Sequence, residues 1–261
     1  MTIAEVIRRV DDGMVMRVAF YALLAASVAF VVVDVREMVT ASAELPGFDP
    51  MHESEPVLPP ALTDGRPAAP PVEPASPSEV LRQRITFELK PGGVLMAEGS
   101  IDAGAADRFS REIEARGEYV KVVELNSPGG SVDDALAMST LIREKKLSTK
   151  VAAKALCASS CPIVFAGGVQ RVAEKDAIVG VHQVFNGSRE RPSAEQAMSS
   201  AQSTTARVAR QLEQMGIGSG LWLHALETPP DRLYYLTEKE MTDFRLVTQP
   251  FRPARPADAK S

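Results

Sequence analysis

The order of apolar and polar positions divides the chain into zones of different character. Residues 18–33 read VAFYALLAASVAFVVV, with no charge and no polar face. With Met14, Val15 and Met16 added, and with Arg17 able to reach its head group outward, the run meets the ~20 residues that a bilayer span needs. Residues 44–78 are rich in Pro, Ala and Glu, around VLPPALTDGRPAAPPVEPASPSE. That composition stays extended and predicts a tether with no core of its own. From Val94 onward, short β-branched runs alternate with helical periodicity. Strands are predicted over 94–101, 120–125 and 149–156, with an extended stretch over 172–184 broken near Asp176. Helices are predicted over 105–116, 131–146, 161–166 and 193–215. This alternation argues for an α/β fold with a largely parallel sheet.

The helix over 193–215 has the clearest boundaries. Ser193 and Gln196 form a capping box, and Gly216 ends the periodicity. Met198, Ala201, Thr205, Val208, Leu212 and Met215 make a narrow apolar stripe. The stripe fits either a helix packed on a partner copy or an ordinary core-facing helix.

The expected organisation is a cytoplasmic N-terminus over 1–13, a transmembrane anchor over 14–35 and a Pro-rich linker over 36–80. An α/β domain over 81–250 and a disordered tail over 251–261 follow. Arg8, Arg9 and Arg17 precede the apolar run, and only Arg36 follows closely. The positive-inside rule then places the folded domain on the periplasmic side of the inner membrane, behind a single span. A cleaved signal peptide, with Ala41-Ser42-Ala43 at its cleavage site, is the competing reading.

Charge and cysteine content narrow the function. The net charge of −5 does not favour a nucleic-acid partner. Cys157 and Cys161 are the whole cysteine content of the chain, so a disulfide-rich scaffold and a paired-CxxC zinc site are excluded. No cofactor and no metal are expected.

The chemistry concentrates at a few places. The apolar run ending at Leu125 stops at Asn126-Ser127-Pro128-Gly129-Gly130, and a helix then begins. Gly129 and Gly130 at a strand-to-helix junction can leave amide N–H groups pointing outward, as an oxyanion or an enolate requires. In KALCASSCPIVFAGG, Ser159 and Ser160 occupy a tight turn before a helix, with Pro162 in its first turn. Either serine is a candidate nucleophile or a plain N-cap. His182, at the end of the apolar strand AIVGVHQVF, is the candidate general base or a satisfied, partly buried histidine. Asp231, after Pro229-Pro230, is the candidate group to orient it, or a helix cap or surface ion pair. His52 falls in the linker, and His224 beside Trp222 reads as a packing residue.

Taken together, this order resembles the Clp protease proteolytic-subunit family of the ClpP/crotonase fold. NSPGGSV is similar to that family's Gly-Gly loop, and ASSCPIVFAGG to its nucleophile turn. AIVGVHQVF resembles its histidine strand, and DRLYYLTEKEMTDFRLV its aspartate segment. The likeness spans about 94–247. Signal peptide peptidase A and NfeD-type proteases are membrane-tethered relatives that share the fold. The resemblance implies repeated ββα units, a peptide or protein substrate, self-association and a Ser-His-Asp triad. It places the nucleophile at Ser159 in preference to Ser160, with His182 as base and Asp231 as its partner. It places the oxyanion hole on the Gly-Gly loop, chiefly the N–H of Gly130, and on the residue after the nucleophile.

Cys157 and Cys161 depart from the family's small apolar residues. Outside the cytoplasm they either bridge across the turn or stay as two buried thiols. Lys154 and Lys175 offer a serine–lysine dyad, which fits less well than His182 and Asp231. Three functions therefore compete: a membrane-anchored serine peptidase, an inactive binding or assembly module of the same fold, and acyl-CoA chemistry. An exported domain argues against the last.

Overall fold

A single helix, α1 (Asp12–Ala43), makes up the described part of the first of two units, which divide the chain at residues 48 and 49. The computed structural model describes residues 12–43, 57–63, 66–67, 73–185 and 193–249. The tail over 251–261, and all but the last two residues of the expected cytoplasmic stretch 1–13, lie outside these. Gly13–Arg36 is long and apolar enough to cross a membrane, and its side chains are exposed throughout.

Among the described residues the second unit has two main sheets and a small antiparallel pairing of Leu62–Thr63 with Arg66–Pro67. The larger has the order β1 (Thr86–Lys90), β2 (Val94–Glu98), β3 (Val122–Asn126), β4 (Ser148–Val151) and β6 (Arg171–Ala173). The first pair is antiparallel and the others are parallel. The smaller joins β8 (Tyr234–Tyr235), β7 (Ile178–Val181) and β5 (Leu156–Ala158), with β5 and β7 parallel. A bridge between Ser127 and Cys157 links the two sheets.

Helices cover the sheets for reasons visible in their spacing. In α3 (Ala105–Arg116), Ala105, Phe109 and Ile113 fall at four-residue intervals and are buried. In α4 (Val132–Glu144), Ser131 caps the N-terminus by accepting from the Asp134 amide. All six residues of α5 (Cys161–Ala166) are buried, so it lies inside the core and shows no polar face. α6 (Ala194–Gln214) carries the expected capping box and buries Val208 and Leu212. α7 (Ser219–Glu227) and α8 (Glu238–Asp243) complete the unit. At the far edge, the buried Arg171 donates to the carbonyls of Gly168, Arg245 and Leu246, which pins the segment after α8 to β6.

Two expectations need correction. The predicted strand over 149–156 is two strands, β4 and β5, in different sheets. Between them Lys154 takes φ +59, its N–H donates to Asp176 O, and Ala155 N–H closes a turn on Ala152 O. No Gly, Pro or Asn marks that turn in the sequence. The break expected near Asp176 is present, and Asp176 itself has φ +67.

The predicted linker is also partly structural. Residues 57–61 and 73–80 of it belong to the second unit, and α2 (Ser78–Arg82) begins inside it, leading into the fully buried Leu81. Around Pro59 and Pro60 the missing N–H groups disfavour a helix, but an extended edge segment can use the proline carbonyls as acceptors.

Candidate active site

The turn after β5 is held by backbone bonds on both sides. Ala158 N–H donates to Ser127 O at 3.0 Å, and Ser159 N–H donates to Gly180 O at 3.0 Å. Ser159 then takes φ +60, the left-handed region that β-carbon-bearing residues usually avoid. This twist half-exposes Ser159 at the cleft, while Ser160 turns inward to 2% exposure. The Ser160 hydroxyl is buried without a hydrogen-bond partner. Cys157 and Cys161 are joined as a disulfide whose short ring encloses both serines. Both sulfur-bearing residues are fully buried. Replacing the pair by alanines is expected to lower stability by about 2 kcal/mol, as befits so short a loop, readable by urea unfolding.

His182 lies just past β7 and is 7% exposed. The Ser159 hydroxyl donates to its Nε2 at 2.7 Å. On the other side, Nδ1 lies 2.9 Å from the carbonyl oxygen of Pro230. A carbonyl only accepts, so Nδ1 carries the proton and Nε2 keeps its lone pair toward Ser159. That is the tautomer a general base needs.

Asp231 is placed differently from the triad expectation. Its residue is exposed, and the ring hydrogen bond goes to the backbone of its neighbour Pro230. The carboxylate acts on His182 through its charge, which favours the imidazolium. Asp231→Asn is therefore expected to lower kcat/KM by roughly tenfold or less. A triad aspartate hydrogen-bonded to its histidine loses about ten-thousandfold on the same change, so steady-state kinetics separates the two arrangements.

Burial lowers the pKa of His182, against the raising effects of the Pro230 and Arg232 backbone and of Asp231. The neutral ring is the form able to accept a proton, and it stays neutral into more acid solution than a free imidazole. The acid limb of the rate profile is expected below pH 6.5, the ordinary value for histidine. Below that value the unfolded chain takes up the proton first, so this group's contribution to stability falls as pH falls. A kcat/KM profile and a pH series of melts check the two effects.

The Gly-Gly loop supplies the opposite wall. Gly129 has φ +95, and a β-carbon on it would lie 2.6 Å from both Ala158 O and Ser159 Cβ. Its own N–H is engaged by the Ser127 hydroxyl at 3.1 Å. Gly129 is thus a contact surface for the serine turn, with no amide to offer an oxyanion. Among the described residues, neither Gly130 N–H nor Ser160 N–H has an acceptor. Both residues line the same cleft as Ser159 and His182.

That cleft has a volume of about 510 Å³. Ile163, Val181, Leu221, Trp222 and Ala225 make much of its wall apolar, and α6 contributes Ala197, Ala201 and Thr204. The remaining candidates lie elsewhere. Lys154 and Lys175 are exposed. His224 stacks on Tyr234 at 3.9 Å between ring centroids, with Nε2 3.8 Å from Glu240. His52 lies outside the described residues.

Two functional groups escaped the sequence. The Pro230 carbonyl is backbone and leaves no side-chain signal. Asn126 was visible only as part of the Gly-Gly motif. It is 2% exposed, accepts from Leu156 N–H and donates to Ser76 and Glu98. It thereby ties β3, β5 and the 73–76 segment together beneath the loop.

No family model matches the chain, and no curated protein matches it. Among solved structures it is similar to a mutant of ClpP1 from Listeria monocytogenes, at 16% identity and a TM-score of 0.50. The match covers 63% of this chain and 93% of that one. At this identity the likeness shows the fold, which is ClpP-like.

Proposed function

We propose that this chain is a ClpP-like serine peptidase, tethered to the inner membrane by α1 with its folded unit on the periplasmic side. The observation that carries the reading is the 2.7 Å hydrogen bond from Ser159 to His182, with the far ring nitrogen held by Pro230. In the proposed reaction Nε2 takes the Ser159 proton as Oγ attacks a peptide carbonyl. The carbonyl oxygen becomes an oxyanion and accepts from the N–H groups of Gly130 and Ser160. His182 returns the proton to the departing amine, leaving an acyl-enzyme on Ser159. Water, deprotonated by the same ring, then attacks the acyl carbon, and the bond to Oγ breaks as His182 returns the proton to Ser159 and the acid leaves. The Pro230 carbonyl keeps the imidazolium oriented, and Asp231 stabilises its charge from a distance. The apolar cleft suits unfolded or extended peptide substrates. Self-association, as the sequence resemblance implies, belongs to this reading.

The inactive-module reading retains one specific argument: Nδ1 meets a neutral carbonyl where a triad has a carboxylate. A fluorophosphonate probe decides between them. Labelling that disappears in Ser159→Ala and persists in Ser160→Ala supports the peptidase. No labelling and no casein hydrolysis, in oxidised or reduced protein, supports the module.

A further inference from the structure

The segment between the membrane helix and the domain is bonded to the backbone that orients His182. Leu233 N–H donates to Pro59 O at 3.0 Å, and Ala61 N–H donates to Leu233 O at 2.7 Å. Pro60 and Leu233 form a parallel bridge. Arg232 donates to Pro60 O at 3.3 Å, and the Tyr235 hydroxyl donates to Leu58 O at 2.5 Å. Residues 57–61 thus extend the small sheet beyond β8, and Pro59 and Pro60 serve only as acceptors, which proline can do.

The same backbone also reaches the site. Pro230 O accepts from His182 Nδ1, and the Arg232 backbone also faces the ring. Residues 229–232 form a turn closed by Arg232 N–H on Pro229 O at 3.1 Å, and Leu233 follows it directly. The 230–233 segment is therefore bonded to residues 59–61 through Arg232 and Leu233, and to His182 through Pro230. Among the described residues, Leu233 N–H and C=O have no backbone partners other than Pro59 and Ala61.

The packing follows the hydrogen bonds. Leu233 and Tyr235 lie in a small buried cluster with Leu81, Leu156, Ala158 and Ile178, and Val57 and Leu58 pack against it. Ala158 immediately precedes Ser159. One cluster therefore supports both the nucleophile strand and the histidine anchor, and the tether covers it.

We propose that residues 57–61 are a positioning clamp, which holds the 230–233 backbone and through it fixes the tautomer and orientation of His182. The connection to the membrane anchor is then part of the site's architecture, so displacing this segment would loosen the base. The geometric claim stands apart from catalysis; its consequence for rate rests on the peptidase reading.

Full-length protein in detergent micelles, labelled with 15N-histidine, tests the clamp. The chain has 3 histidines, so His182 is assignable by its loss in His182→Gln. Ala61→Pro removes the N–H that Leu233 O accepts, and Tyr235→Phe removes only the hydroxyl bound to Leu58 O. Both variants are expected to expose the His182 Nδ1–H to solvent exchange at least tenfold faster and to populate the Nε2–H tautomer. Fluorophosphonate labelling should slow about tenfold in parallel. Should Ala61→Pro fail to fold, Tyr235→Phe, which leaves the backbone intact, carries the test. Unchanged Nδ1–H exchange and tautomer in the folded variants overturn the clamp. Faster exchange in a protein whose wild type never labels supports the clamp and overturns the peptidase reading instead.

Discussion

Ser159→Ala is expected to reduce peptide hydrolysis by roughly ten-thousandfold and to abolish fluorophosphonate labelling. The hydroxyl removed is the one that donates to His182 Nε2 at 2.7 Å. No other hydroxyl on the turn can replace it, because Ser160 points inward, 2% exposed and unpartnered. Ser160→Ala should therefore change the rate only a few-fold, through packing. Alanine at 159 inherits the same φ of +60, so the folded backbone keeps its strain and the melting temperature should move little. A loss of labelling accompanied by unfolding would indicate that the serine is structural. Equal losses in the two variants would remove the distinction between the neighbouring serines.

Gly129→Ala carries the second largest effect, a fall in kcat/KM on the order of a hundredfold. The new β-carbon would sit 2.6 Å from Ala158 O and from Ser159 Cβ, and 2.8 Å from Ser160 N. None of these is the end of a flexible side chain, so the serine turn and the Gly-Gly loop must part. Parting them displaces Ser160 N–H relative to Gly130 N–H, the two proposed oxyanion donors. A displacement near 1 Å costs about a hundredfold in rate, similar to deleting one donor. The backbone strain of alanine at φ +95 must be separated from this. Gly92→Ala provides the comparison: φ is +81 there, and an added β-carbon meets nothing within 4 Å. Gly92→Ala should lower the melting temperature yet leave kcat/KM unaltered, whereas Gly129→Ala lowers both. Wild-type kcat/KM in Gly129→Ala would remove the Gly-Gly loop from the mechanism.

These expectations show how far the chain could be read before folding. Local signals carried well. The uncharged run of α1, the capping box of Ser193 and Gln196, and the strand–Gly-Gly–helix passage all depend on neighbours a few residues apart. Short-range sterics and hydrogen bonding decide them. The turn at 152–155 escaped because Lys154 takes a left-handed conformation with no residue type to announce it. The pairing of residues 57–61 escaped because their prolines describe backbone stiffness, and stiffness does not say whether an extended segment stays free or joins an edge.

The amino-acid order by itself thus determined the long apolar helix, the alternating α/β pattern and the small set of groups with the chemistry an acyl transfer would need. The folded chain alone decided how those groups meet. Packing chose Ser159 over Ser160 through one backbone torsion, spent the Gly129 amide on Ser127, and brought a carbonyl from 48 residues away to His182. The reason is physical: a side chain advertises its chemistry in one letter, whereas a backbone carbonyl is identical at every position. Which carbonyl faces the imidazole is settled only when distant strands close their hydrogen bonds around a buried core.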